Sequence, residues 1–362
     1  MITPADDYLI HQTPYTLDTV FTSDRNFYDR YFFNGYARDG SVYFALAMGA
    51  YPNLDIHDTS FCAVVDGKQH VVRASRRLGG DRMNMAVGPV SVQIEEPLKR
   101  LRVRVGPNEW GVSADLVYTA RSLPVEEPHF YRRSGPVVVM DYTRMTQHGL
   151  WSGTLSVDGR EFTIGDDGWW GSRDHSWGIR TIGGGDPRGA PSQAPRQFFW
   201  NWAPVNFDDL CTLFTVSENA DGSRWHESGV VLTPYPGATA VEARVGHRLT
   251  FEAGTRNISG ATITLEPEQG EPLELEFEPL YHFLMRGLGY TDPKWGHGMW
   301  VGENEVDGEV YELAKQDPMT KLHVQTVSKV RAGKREGIGV FEHIILGPHE
   351  PYGFKETLDW AK

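Results

Sequence analysis

A two-residue hydrophobic alternation, interrupted by Asp-Gly pairs, recurs along the chain and limits what it can fold into. Val42, Phe44, Leu46 and Met48 share one parity, and Ser41, Tyr43, Ala45 and Ala47 the other. Leu101–Val105 and Leu273–Glu278 repeat the pattern with charge on the second face. Successive side chains of a strand point to opposite faces, so such segments have one dry side and one wet side. That is the signature of antiparallel sheet, not of the doubly buried strands of a parallel one. Asp-Gly occurs at 39–40, 66–67, 158–159, 167–168, 221–222 and 307–308. The pair tolerates the positive φ of tight hairpins. The clearest hairpin runs Gly153–Val157, Asp158-Gly159, Arg160–Ile164. No long helical period stands out, and the sequence leaves room only for short helices near Phe21–Tyr31 and Met319–Val327.

The 362 residues exceed one ordinary domain and suit two. The composition breaks at Gly183–Pro195, a Gly/Pro-rich run with little packing capacity. This predicts β-domains at 1–182 and 196–362, joined by a linker or loop at 183–195. Closing each sheet into a barrel, or a barrel-like sandwich, would remove exposed edges.

The charge balance, 35 Lys+Arg against 48 Asp+Glu, gives a net −13. Nucleic acid and anionic membrane surfaces attract cations, so neither is an expected partner. Cys62 and Cys211 sit in apolar stretches far apart and read as buried thiols in a reducing compartment. Met1–Ile10 carries Asp6 and Asp7 without an apolar core, and no run approaches the roughly 20 residues of a membrane helix. The expectation is a cytoplasmic protein without membrane insertion, with a homodimer left open.

Chemistry concentrates in Gly165–Arg180, which holds three tryptophans, three aspartates, a histidine and two arginines. Strand parity would aim Arg173, His175 and Trp177 one way and Asp174, Ser176 and Gly178 the other. Trp200 and Trp202, in Phe198–Trp202, likewise share a face. An inward His-x-Trp opposite an inward Trp-x-Trp would make an aromatic chamber with one titratable group, the usual plan of a small-molecule site. The competing reading is ordinary core tryptophans around a satisfied ion pair. His297 and Trp300, in Trp295–Trp300, could line the mouth of the second domain. Glu342-His343 places two polar residues in an apolar strand, where a lone buried charge is costly. Tyr31, in the aromatic run Phe27–Phe33, could line a pocket or sit in the core. There is no Gly-x-Gly-x-x-Gly, Walker loop, Gly-x-Ser-x-Gly or His-Glu-x-x-His. The histidines lack ligand spacing, so neither a metal nor a cofactor is expected.

The segment Asp167-Gly-Trp-Trp-Gly-Ser-Arg-Asp-His-Ser-Trp-Gly-Ile-Arg180 resembles the Gly-rich, Asp-His-x-Trp-Gly region of the carotenoid 1,2-hydratase (hydroxyneurosporene synthase) and AttH-like superfamily. His175 and Trp177 match its His-x-Trp. The resemblance implies tandem lipocalin-like antiparallel β-barrels and kinship by fold with kievitone-hydratase-like proteins and fungal Diels–Alderases. It also implies cofactor-independent lyase or hydratase chemistry on a small hydrophobic molecule of terpenoid, steroid or phenylpropanoid type. An alkene is a poor base, and a carboxylic acid in a dry cavity can stay protonated near neutrality. Asp174 is the first candidate for that acid and Asp208 the second, with His175 as proton relay and Arg180 or Arg173 as anchor or support. Trp170, Trp177, Trp200 and Trp202 would face a cationic intermediate, each contact contributing roughly 0.5–2 kcal/mol. The alternatives are a non-catalytic lipocalin-like carrier and a cyclase or pericyclase acting by restricted geometry.

Overall fold

The computed structural model describes residues 1–183, 196–268 and 270–362. The linker expected at 183–195 therefore lies, apart from Gly183, outside the described residues. The fold is all-β, in two antiparallel sheets. The first runs, edge to edge, Glu305–Glu312, Lys68–Arg77, Ile56–Val65, Val42–Tyr51, Phe27–Tyr36, Arg160–Arg180, Val137–Val157, Val112–Ala120, Arg100–Val105, Val90–Glu96 and Ala86–Val87. Phe130–Ser134 pairs with the start of Val137–Val157, and Val125–Glu126 with Met145 and Thr146 further along it. The second sheet closes into an eight-stranded barrel made only from Phe198–Leu346. Its partner sheet takes its edge strand, Glu305–Glu312, from the same half of the chain.

The hairpin at Asp158-Gly159 forms with both residues at positive φ (52° and 78°), joining two strands of 21 residues each. Their hairpin halves pack in the first core; their far ends run past it and wall a cavity. Not every Asp-Gly turns the chain. Asp167-Gly168 lies inside the long strand Arg160–Arg180, beside a break in register opposite Trp151–Gly153, as at a β-bulge. Asp307-Gly308 lies mid-strand. The two segments with room for short helices run instead into the strands Phe27–Tyr36 and His323–Ala332.

The three largest apolar layers among the described residues follow from strand parity. One lies on one face of the first sheet around fully buried Trp151, which meets Phe33, Phe44 and Tyr118 edge to face. A second fills the barrel with Phe199, Phe214, Phe277 and Phe341; eight strands leave an interior that side chains can fill. The third lies between the sheets and includes Tyr36, Tyr43, Trp170, Trp202, Leu213 and Phe283. Cys62 and Cys211 are buried and unpaired.

Polar groups lock this seam. Buried Glu127 takes two hydrogen bonds from Arg144, at 2.7 Å each, and others from Thr146 and, across the seam, Thr215. Burial works against its ionisation, yet Arg144 holds its pKa below the ordinary value. Arg121 donates to the Asn206 side chain and to the Phe207 and Asp208 carbonyls. Gln69 exchanges two hydrogen bonds with the Leu284 backbone. Paired this fully, buried polar groups fix register instead of costing stability.

Candidate active site

Where the seam opens at one end, it leaves a cavity of about 800 Å³, within the usual range for small-molecule sites. It lies between sheet and barrel, not inside a barrel. Several elements supply its walls, Phe130–Ser134 and Val137–Val157 among them with Arg132, Arg133, Tyr142 and Arg144. The even-numbered face of Arg160–Arg180 gives Asp174, Ser176 and Arg180; the neighbouring strand gives Arg30 and Phe32; the barrel's outer face gives Trp200, His323 and Glu342; and the crossover after Leu284 gives Met285, Tyr290 and His297.

The alternation inferred for residues 173–178 is present, but the face that meets the cavity is the one carrying Asp174. The Asp174 carboxyl makes no hydrogen bond to any described residue. Burial raises its pKa from 3.8 to about 6; Arg144 and Arg30 oppose this, while Glu342 and Glu127 add to it. Opposite stands a carboxylate–imidazole pair, with Glu342 Oε1 2.7 Å from His323 Nε2. Gln325 donates to the other Glu342 oxygen at 2.6 Å, and Tyr43 donates in turn to Gln325. His323 stands edge-on to Tyr290 (4.7 Å) and Trp200 (6.1 Å). Arg30 reaches the Tyr290 hydroxyl at 2.5 Å and the Leu288 carbonyl at 2.9 Å. His297 donates from Nδ1 to the Gly289 carbonyl, leaving Nε2 unpartnered among the described residues. Burial, with Arg30 and Arg180 nearby, keeps that ring neutral.

Asp174, Arg180, Trp200, His297 and Glu342 thus share one cavity, and the other residues picked from the sequence lie elsewhere. His175 points to the opposite face, 2.7 Å from Asp29 and stacked on Tyr31 at 4.2 Å. Burial disfavours the Asp29 carboxylate, but His175 and then Arg82 hold its pKa low. Trp177 shares that outward side and is 41 % exposed. Arg173 is buried against Gln147 and Tyr118. Trp170 lies in the seam between Arg38 and Arg121, and Trp202 is buried beside Phe32. Asp208 is a surface residue paired with Arg38 at 3.1 Å. Trp300 is exposed beneath Arg77. The indoles therefore divide among layers, and only Trp200 of the five in this set reaches the cavity.

Gly178 in the same motif has a structural part. Its φ is +136°, and a Cβ there would lie 2.3 Å from the Asp141 carbonyl and 2.6 Å from Tyr142 Cα. The strand can press against Val137–Val157 at this point only without a side chain.

Sequence reading missed the pair Glu342–His323 as a unit, along with Arg30, Arg132, Tyr142, Tyr290 and Trp225. A signal existed in His323-x-Gln325, two polar groups of one parity in an apolar strand. Among the described residues no cluster of His, Cys, Asp and Glu is arranged to hold a metal, and no helix is long and apolar enough to cross a membrane.

Comparison with solved structures places the fold. An AttH protein from Nitrosomonas europaea superposes with a TM-score of 0.54 at 14 % identity, over 88 % of this chain and 92 % of that one. Kievitone hydratase from Nectria haematococca gives 0.50 at 9 %, over 88 % of each chain. CghA in complex with Sch210972 gives 0.52 at 11 %, over 89 % of each. At these identities the likeness is one of fold. No curated protein sequence matches the chain. The profile of a family of unknown function, DUF8625, matches residues 2–355, and the chain belongs to that family.

Proposed function

We propose that the protein is a cofactor-independent hydratase or related lyase that protonates an unsaturated carbon of a small, largely hydrophobic molecule. One observation carries this: a carboxyl without a hydrogen-bond partner among the described residues, with its pKa raised to about 6, faces a cavity opposite a carboxylate–imidazole pair. Asp174 gives its proton to the alkene carbon. The cation that forms lies against Trp200, Tyr290 and Phe32, at roughly 0.5–2 kcal/mol per ring contact. Water adds to the cation and loses a proton to His323, oriented by Glu342; run backwards, the same steps eliminate water. The fold shared with kievitone hydratase supports this class of chemistry. A terpenoid, steroid or phenylpropanoid skeleton suits the volume and the aromatic walls.

The test is incubation with a panel of lipophilic alkenes in deuterium oxide, read by mass spectrometry. Wild type should place one deuterium on carbon, and Asp174→Asn should place none while still binding. Product without carbon-bound deuterium would turn the assignment to a cyclase or pericyclase. Saturable binding with every ligand recovered unchanged would turn it to a carrier.

A further inference from the structure

The cavity of this acidic protein is cationic. Among the described residues its wall carries six arginines, Arg30, Arg132, Arg133, Arg144, Arg180 and Arg196, against two carboxylates, Asp174 and Glu342. Glu127, behind the wall, neutralises Arg144, and Arg30 is spent on Tyr290 and Leu288. Arg180 is different. It stands among the rings of Tyr28, Tyr142 and Tyr290, at 4.7, 5.8 and 5.9 Å. It has no ion-pair or hydrogen-bond partner among the described residues, and its Nε is buried. Arg132 lies over Trp225 at 4.8 Å, with a long contact to Gln197 and its Nη1 buried without a partner. Each guanidinium thus keeps a buried N–H without a hydrogen-bond acceptor among the described residues and no counter-charge, a desolvation cost that an arriving anion would offset.

Charge is also graded with depth, from exposed arginines at the mouth to the acid–base pair at the base. Arg133, Ser134, Gly135, Thr181 and Arg196 are exposed and form the rim, whereas Phe32, Met285, His323 and Glu342 are buried at the base. Asp174 and Arg180 lie six residues apart on one face of one strand, roughly 20 Å of extended backbone.

Building on the acid–base reading above, we propose that the substrate is an amphipathic anion. A carboxylate, phosphate or enolate sits on Arg180 and Arg132 towards the mouth, and the unsaturated apolar body reaches inward to Asp174. The anionic end fixes which carbon meets the acid, as remote binding groups do when they position a reacting centre.

The probe pair is cis-parinaric acid and its methyl ester, which share one fluorescent polyene and differ by one charge. Wild type should bind the acid at least about tenfold more tightly than the ester, the size of one charge-assisted hydrogen bond. Arg180→Met should erase that preference and leave the ester's affinity in place, and Arg180→Lys should keep part of it. The Tm of the ligand-free protein supplies a second readout. Removing a cation without a partner should leave Tm unchanged or raise it; a fall of several degrees would show that Arg180 serves the fold through its tyrosines and would overturn the proposal. Equal binding of acid and ester, binding of neither, or a preference that survives Arg180→Met would overturn it too. Its failure is separable from that of the acid–base reading. Equal binding removes the anion and leaves deuterium transfer by Asp174 standing. An Arg180-dependent preference without any deuterium on carbon does the reverse.

Discussion

If Asp174 is held protonated by its surroundings, the site should burden the fold, and the burden should depend on pH. Its folded pKa of about 6 stands above the 3.8 of an ordinary aspartic acid. A raised folded pKa makes a contribution that is whole below the unfolded value and lost as pH rises through the folded one. The full shift corresponds to roughly 3 kcal/mol, at about 1.4 kcal/mol per pKa unit. About half of that develops between pH ~5 and pH ~8, as the folded carboxyl ionises. Asparagine at 174 has nearly the same shape and cannot ionise, so its stability lacks this component. Urea denaturation of wild type and Asp174→Asn across that range isolates it, because titrating groups remote from residue 174 cancel in the difference. The variant should gain on wild type by about 1.5 kcal/mol between the two ends. Two curves that run parallel to within about 0.5 kcal/mol, well below that linkage, would refute the claim that the cavity perturbs this acid. The cationic wall would then outweigh the burial.

Two further perturbations test the rest of the site. Glu342→Gln removes a carboxylate that raises the Asp174 pKa, so activity, which needs the protonated acid, should decline with rising pH at a lower pH than in wild type. The same change breaks the buried pair with His323 and should cost about 3–5 kcal/mol, seen as a lower urea midpoint. His175→Ala should leave turnover on any identified substrate within about twofold and cost about 0.5–1.5 kcal/mol, because it removes one of the two hydrogen bonds Asp29 accepts on the far side of the strand and leaves that from Arg82. A large loss of turnover with unchanged stability would bring His175 back into the chemistry.

The fold was legible because alternation and turn chemistry are local. The parity of Val42–Met48, and a hairpin at Asp158-Gly159 that needs positive φ at two residues, are written in adjacent positions. The two Asp-Gly pairs that do not turn show where local rules yield: residues 307–308 are held by pairing with Val72 and Arg73, and residues 167–168 fall in a register break inside one long strand. Parity also separated Asp174 from His175 and Trp177, but it cannot say which face is wet, dry or open. That depends on what lies across the seam. The first sheet has apolar residues on both faces, one set lining its own core and one covering the barrel, so tryptophan density marks neither. Trp177 looks outward and Trp170 fills the seam, although they lie seven residues apart in one motif.

The acid's partners were harder to see for the same reason. Glu342 and His323 come from neighbouring barrel strands, paired through the registers Gln325–Glu342 and His323–Ile344. They face Asp174 only because the barrel packs with its outer surface against the first sheet. A charged residue in an apolar strand was the visible trace of this arrangement. Read by parity, Glu342 must leave the barrel interior if Phe341 and Ile345 fill it, and His323 and Gln325 must leave with it. Residues of that kind, polar and in phase on the outside of a closed barrel, mark the surface against which a second sheet has to pack. In this chain that surface is where the site is built, so the acid and its counterpart can be aligned only after both halves have folded and docked.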